Sequence, residues 1–160
     1  MSSPSDYFCL LEDTRQQIGK HRNIHAYCEQ QGIKIIRSKL VVGDYQISNR
    51  ADIIVDTKYG VSEIAFDLFH SHDRTRDEMI RAQDCGIQLI FLIEEKLPGG
   101  RLDNWKSPIG RDGKPLYKFD PVVLRKAMIT MQEKYGCKFR FCDGRSTGKV
   151  LLAYLKGELK

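Results

Sequence analysis

Short apolar runs separated by polar segments and turn signals predict a chain in which strands and helices alternate. Apolar or β-branched runs predict strands at residues 7–11, 33–42, 45–48, 51–58, 87–93 and 138–142. Amphipathic spacing predicts helices at residues 18–31, from Ser62, at 73–85, from Pro121 and at 147–155. The resulting order β-α-β-β-β-α-α-β-α-β-α predicts an α/β fold in which helices cover a central mixed β-sheet.

Three segments carry more specific expectations. Residues 33–58 resemble a β-meander, and the nearly all-apolar run 87–93 is typical of a strand at the centre of a sheet covered on both faces. Asp120 before Pro121 is typical of a helix start, since proline is favoured at the first helical position. The buried face of this helix is predicted to contain Val123, Leu124, Ala127, Met128 and Met131.

Composition indicates a globular protein with one domain. The 160 residues are 41% hydrophobic and 29% charged, and no apolar run approaches the length of a membrane span. We expect a flexible tail at residues 1–6 and a single domain at 7–160. The start of the chain lacks the pattern of a secretory signal, so a cytoplasmic location is expected. The five cysteines are expected to be reduced thiols in the core.

Positive charge is concentrated in the second half of the chain. Residues 1–80 carry 10 basic and 12 acidic side chains, whereas residues 81–160 carry 16 and 9. Many of these cations lie in a predicted long loop, residues 96–120, where they alternate with glycine, proline, Trp105 and Tyr117. Such a mixture suits a nucleic-acid backbone with unstacked bases, although composition alone favours a solvated loop with Trp105 as a core anchor.

Two carboxylates and one amine form the most informative pattern. Asp56 and Lys58 are two positions apart on a predicted strand and therefore project to the same face. A turn at residues 48–50 would bring Asp44 to the same edge. A hard divalent cation removes the repulsion between two such carboxylates, which predicts magnesium or manganese at this edge. The alternative is a surface ion pair beside a turn aspartate.

The wider motif set resembles the XPF-like nuclease domain, a member of the PD-(D/E)XK, restriction-endonuclease-like superfamily. The matching segments are Glu12-Asp13-Thr14-Arg15, Gly43-Asp44-Tyr45, Val55-Asp56-Thr57-Lys58, Ser62 through Asp67-Leu68, and Asp73-Arg74 with Glu78 four positions on. Residues 134–142 are similar to a small stand-alone phage or bacterial version. The resemblance implies a three-layer fold and a magnesium-dependent DNA endonuclease in DNA repair, recombination or phage DNA processing, for which manganese can substitute.

The resemblance also assigns roles to residues. It implies that Asp44 and Asp56 hold the cation, with the main-chain carbonyl of Thr57 as a third ligand, and that Lys58 positions the attacking water. Secondary acids would be Asp13 and Asp67. The chain departs from the family pattern because Asp56-Thr57 replaces Glu-Arg, Gln16 stands where a glutamate is usual, and Ser62 occupies the position of the last acid. Asp67 or Glu63 would then be that acid.

The cations expected to bind DNA lie in two regions. They are Arg15, Arg74 and Arg76 near the predicted site, and Lys106, Arg111 and Lys114 in the basic loop. For Arg74 and Arg76, a charged helix face with ion pairs is an equal alternative. His21, His25, His70 and His72 are expected to be ordinary surface residues. The protein could also form a homodimer. Two other functions are alternatives: a non-catalytic DNA-binding or assembly module, and a small-molecule enzyme.

Overall fold

The computed structural model describes residues 7–160, so the tail predicted for residues 1–6 lies outside the described residues. A six-stranded mixed sheet in the order β2-β1-β3-β4-β5-β6 forms the middle layer. Its strands are β1 (Leu10–Glu12), β2 (Ile35–Arg37), β3 (Tyr45–Ile47), β4 (Arg50–Lys58), β5 (Gln88–Glu94) and β6 (Lys138–Cys142). The helices are α1 (Arg22–Gln31), α2 (Val61–Phe69), α3 (His72–Asp84), α4 (Pro121–Tyr135) and α5 (Thr147–Leu155). The predicted order and the α/β fold are confirmed.

Helices cover both faces of the sheet. One face packs Ile54, Phe91 and Ile93 against α2, α3 and α4. The opposite face packs Val55 and Leu92 against α1 and α5. Alternate residues of β4 therefore belong to different layers, which fixes the direction of the polar side chains at its carboxyl end.

The predicted meander at residues 33–58 is wrong. Strand β1 lies between β2 and β3, pairing parallel with the former and antiparallel with the latter, and only β3 and β4 form a hairpin. The segment after β2 leaves the sheet because the end of β1 binds it. The Ser38 amide donates to the Glu12 carbonyl over 2.9 Å, and the Leu40 amide donates to the Asp13 carboxylate over 2.9 Å. Strand β2 is consequently much shorter than the β-branched run that predicted it.

Two smaller expectations also need correction. Strand β5 is buried on both faces, but it lies next to the edge strand β6 rather than at the centre of the sheet. Helix α4 begins as predicted, since the Asp120 carboxylate accepts from the Val122 amide over 2.8 Å. Its residue Val123, however, is 51% exposed, because α4 contacts the sheet through the narrower stripe that includes Leu124 and Met128.

The basic loop at residues 96–120 is anchored at its base and exposed at its tip. Its tip contains one antiparallel bridge, between Ile109 and Pro115. Trp105 is buried, stacks on Phe119 with 4.9 Å between ring centroids, and donates its indole N–H to Glu95. Trp105 is thus a core anchor. All five cysteines are free thiols, but only Cys28 and Cys137 are buried and Cys85 is exposed, so the prediction of core thiols is wrong for Cys85. None of the helices in residues 7–160 is long and apolar enough to cross a membrane.

Candidate active site

A polar cleft of about 620 Å³ opens where β3 and β4 meet α3 and the segment after β1. Its lining residues are Asp13, Arg15, Gln16, Gln17, Lys20, Val42, Gly43, Asp44, Asp56, Lys58, Arg74, Glu78 and Arg81. The cleft therefore collects Asp44, Asp56 and Lys58, as the strand and turn pattern predicts.

The carboxyl end of β4 places Asp56 and Lys58 side by side. The Lys58 Nζ atom lies 3.3 Å from Asp56 Oδ1 and 2.6 Å from Asp67 Oδ2. Both strand residues share the face of Ile54, toward α2 and α3, because side chains alternate along a strand. Burial alone would lower the pKa of Lys58, but the attraction of Asp56 and Asp67 is larger, so the net effect raises it. Lys58 therefore remains an ammonium group.

Asp44 is held rigidly at the start of β3. Its amide donates to the Val55 carbonyl over 2.9 Å. One carboxylate oxygen, Oδ2, accepts from the Thr57 amide over 2.9 Å and from the Thr57 hydroxyl over 2.8 Å. The Asp44 carboxylate thus replaces the backbone carbonyl that would otherwise accept from the Thr57 amide and continue the β3–β4 pairing. This places it beside Asp56.

Gly43 makes this turn sterically feasible. Its φ of +69° is a conformation that side-chain-bearing residues rarely adopt, and a Cβ atom there would lie 2.6 Å from Ile54 Cγ2 and 3.2 Å from the Val55 carbonyl oxygen. The Gly-Asp pair is therefore a requirement of packing against β4, and it sets the position of Asp44.

We expect Gly43→Ala to lower the free energy of unfolding by roughly 2–4 kcal/mol, from backbone strain plus overpacking. Gly86→Ala is a matched control, since Gly86 has a φ of +68° but a Cβ atom added there would have no neighbouring atom within 4 Å. Urea unfolding measures both variants. If both variants lost the same free energy of unfolding, the close approach of residue 43 to Ile54 and Val55 would not contribute to the loss.

Glu78 of α3 is a fourth carboxylate in the cleft, besides Asp13, Asp44 and Asp56, and the predicted site omits it. It accepts from the Gly43 amide over 3.2 Å, and its carboxyl group lies near that of Asp56. Burial and the neighbouring Asp56 carboxylate raise the pKa of Glu78, and the same two causes raise that of Asp44. The sequence does contain a signal for this residue: Glu78 lies beside Thr75, Met79 and Ala82, the buried stripe of α3.

In the absence of a cation, burial and the Asp56 charge therefore both disfavour the ionised forms of Asp44 and Glu78. Within residues 7–160, no three His, Cys, Asp or Glu side chains form a ready-made set of metal ligands. A magnesium-like ion needs only one or two carboxylates, since water and substrate phosphate complete its coordination. The Gln16 side-chain amide could also bind a polar ligand. Its nitrogen and oxygen atoms are buried and have no hydrogen-bond partner among residues 7–160.

The Asp13 carboxylate is fully engaged in hydrogen bonds with Arg15 and Leu40. Its carboxylate accepts from the Arg15 guanidinium at 2.8 and 3.1 Å and from the Leu40 amide. Burial would raise the pKa of Asp13, but these hydrogen bonds outweigh it and the net effect lowers the pKa. The pair lies in the cleft wall, where Asp13 orients Arg15 and holds the segment after β2.

The two alternatives for the last acid of the motif have different surroundings. Asp67 is buried on α2 and contacts Lys58, whereas the Glu63 carboxylate accepts from the Tyr59 amide over 3.0 Å. Neither is among the residues that line the cleft. Asp67 therefore reaches the site through Lys58.

The predicted DNA-binding cations divide into two groups. Arg15 and Arg74 line the cleft, and so do Lys20 and Arg81, which the sequence did not single out. Arg76 instead forms the ion pair of the alternative interpretation, with Asp73 at 3.7 Å on the same helix, and does not line the cleft. Lys106, Arg111 and Lys114 are exposed on the basic loop and do not line the cleft.

His21 is not a surface residue. It is only 4% exposed, and its Nε2 atom lies 2.9 Å from the Thr57 hydroxyl. Burial lowers the pKa of His21 to about 4, so the ring is neutral near pH 7. Because the Thr57 hydroxyl donates to Asp44, the ring supports the Thr57–Asp44 contact from the opposite layer.

Comparison with known proteins identifies the family. A family model described as the ERCC4 domain matches residues 13–155. Two solved structures, XPF from Aeropyrum pernix and XPF from Aeropyrum pernix in complex with DNA, share 23% and 22% sequence identity with this chain. Their TM-scores are 0.63 and 0.65, and the alignments cover 93% and 95% of this chain.

The same alignments cover 64% and 65% of the XPF chains, so this chain spans less than two thirds of their length. A search of curated proteins found no match. The similarity in fold confirms the predicted restriction-endonuclease-like architecture. The match over residues 13–155, together with that fold, shows that this chain belongs to the ERCC4 domain family, the group of XPF-like nuclease domains.

Proposed function

We propose that this chain is a divalent-metal-dependent endonuclease that hydrolyses phosphodiester bonds of DNA in the polar cleft. The observation that carries the proposal is that Asp44, Asp56, Glu78 and Lys58 line one cleft, in which the Lys58 ammonium group contacts Asp56. Membership of the ERCC4 domain family supports nuclease chemistry. DNA as substrate is supported by the similarity to an XPF structure that was solved in complex with DNA.

The residues of the cleft fit a magnesium or manganese ion. Asp44 and Asp56 would hold it, and in Asp44 only the Oδ2 oxygen is engaged by Thr57. The amide and carbonyl of a paired strand residue point to the same side, so the Thr57 carbonyl faces the side of Asp44 and is a candidate third ligand. When bound, such an ion polarises a phosphoryl oxygen and lowers the pKa of a coordinated water.

Protein side chains supply the remaining functions. Lys58 is charged and fixed by Asp67, so it can orient the attacking water and stabilise charge that develops on the phosphate. Arg15, Lys20, Arg74 and Arg81 around the rim would bind phosphate groups that flank the scissile bond. Carboxylates at the floor and cations at the rim suit a polyanion bound through a metal ion.

We expect the protein to nick supercoiled plasmid in magnesium or manganese and to leave it intact in EDTA. Calcium is a useful control, because it binds oxygen ligands with a looser geometry than magnesium. Gel electrophoresis of plasmid and branched oligonucleotide substrates measures the reaction. Equal cutting with and without EDTA would contradict the proposal.

DNA binding without metal-dependent cutting would instead favour the alternative, a non-catalytic DNA-binding or assembly module. The clustering of Asp44, Asp56 and Lys58 in one cleft is the observation against that alternative. The cytoplasmic location, the pathway and a homodimer stay predictions.

A further inference from the structure

A second, apolar pocket of about 440 Å³ lies between α2 and the end of the basic loop. We call it the aromatic pocket; its lining residues are Ser62, Ala65, Phe66, Phe69, His70, Leu116, Tyr117, Lys118 and Phe119. Phe66 is 56% exposed and Tyr117 is 43% exposed. Large aromatic side chains exposed together are uncommon on a surface that has no ligand.

The walls of the aromatic pocket are held in place by ring contacts. Phe119 stacks on the buried Trp105 and lies 6.2 Å from Phe69 between ring centroids. Phe66 lies 5.3 Å from the ring of His70. Phe69 and Phe119 are thus anchored on the buried Trp105, so a flat ligand can bind against this wall with little ordering of its side chains.

The surface beside the aromatic pocket is positively charged. Lys118 lines the pocket, and Lys106, Arg111 and Lys114 lie on the same loop. In the described part of the chain, none of these four side chains forms an ion pair. The acidic residues of the loop are engaged elsewhere: Asp103 binds Arg125, Asp112 accepts from the Lys114 amide, and Asp120 caps α4.

A recess lies between the aromatic pocket and the polar cleft. This recess of about 390 Å³ contains Phe69, His70, Ser71, His72, Asp73 and Arg74. It shares Phe69 and His70 with the aromatic pocket and Arg74 with the cleft. The cleft, the recess and the aromatic pocket therefore lie in sequence along the surface, with Arg74 between the first two and Phe69 and His70 between the last two.

We propose that the aromatic pocket binds unpaired bases of a single DNA strand whose backbone continues past Arg74 into the polar cleft. Bases would stack on Phe66, Phe69 and Tyr117, and the cations of the basic loop would contact phosphates. This inference rests on the proposed function for its ligand. A second copy of this chain is a poorer occupant, because it would bring the same unpaired cations against the pocket.

Binding measured in EDTA tests the inference without cleavage. Fluorescence anisotropy of labelled oligothymidylate and of a duplex compares the wild type with Phe66→Ala, Tyr117→Ala and the double variant. Each aromatic side chain removed should weaken single-strand affinity roughly tenfold, within the range measured for base stacking, and change duplex affinity less than about twofold. Tyr117→Phe should retain wild-type affinity, because it keeps the ring.

Matched controls separate stacking from general effects. Ile129→Ala removes an exposed apolar side chain from α4 outside the pocket and should leave both affinities unchanged. Lys118→Gln should reduce the slope of log affinity against log salt by about 0.7 for the single strand, whereas Lys126→Gln should not. Thermal unfolding confirms that each variant is folded.

Three outcomes would overturn the inference: unchanged single-strand affinity in the double variant, equal loss for single strand and duplex, or loss of self-association in sedimentation with DNA affinity intact. The last would identify a second copy as the occupant. Plasmid cutting in magnesium is measured separately. If cutting fails but selective single-strand binding remains, only the proposed nuclease activity is refuted; if cutting remains and selectivity is absent, only this inference is refuted.

Discussion

Asp56→Asn should reduce DNA cleavage in magnesium by at least about 10²- to 10³-fold, and Asp44→Asn should have an effect of similar size. Loss of one metal-holding carboxylate removes part of the charge stabilisation of the transition state, which is several kcal/mol in metal-assisted hydrolysis. Asp52→Asn is a matched control, because Asp52 lies on the same strand but is exposed and paired with Arg50 outside the cleft. Rates of plasmid nicking at saturating enzyme measure the effect.

The same variants should remain folded. Without metal, the charge of Asp56 raises the pKa of both Asp44 and Glu78, so its removal relieves repulsion among buried carboxylates. Lys58 keeps its contact with Asp67. Unfolding temperatures in EDTA should therefore be no lower than that of the wild type, whereas the stabilisation by added magnesium should be lost. A variant that loses both cleavage and folding would assign Asp56 a structural role instead.

Local pattern was sufficient to predict the central part of the candidate site. Strand periodicity placed Asp56 and Lys58 on one face, and the Gly43–Asp44 turn brought a second carboxylate to them. Glu78 could not be placed in the same way. Its contact with Asp56 depends on where α3 packs against β4, which is a tertiary property rather than a property of either segment.

The fold shows the same division between local and long-range information. Helix starts and ends were predictable where a particular residue type is required. Asp120 accepts a hydrogen bond from a free backbone amide at the start of α4. Gly32 and Gly136 adopt the left-handed conformations that end α1 and α4. The choice of strand partners was not. Whether β2 joins β1 or β3 depends on distant contacts, such as the Asp13 carboxylate with the Leu40 amide.

Lys58→Met should lower both activity and stability, and a second substitution separates the two effects. Met conserves much of the side-chain volume but leaves Asp56 and Asp67 without their shared cation. Breaking a buried ion pair by removing one partner costs about 3–5 kcal/mol in the free energy of unfolding. Loss of the ammonium group should also slow cleavage by about 10²- to 10³-fold, as for other fixed groups that stabilise transition-state charge.

The double variant Lys58→Met, Asp67→Asn removes the uncompensated Asp67 charge and should recover most of the lost stability in urea unfolding. Its cleavage rate should remain as low as that of Lys58→Met, because the ammonium group is still absent from the cleft. Asp67→Asn alone should leave a measurable rate, since Asp67 does not line the cleft and reaches the site only through Lys58. If the double variant cleaved DNA like the wild type, Lys58 would serve only as the counter-ion of Asp67. Hydrolysis would then have to rely on the carboxylates and the arginines of the rim.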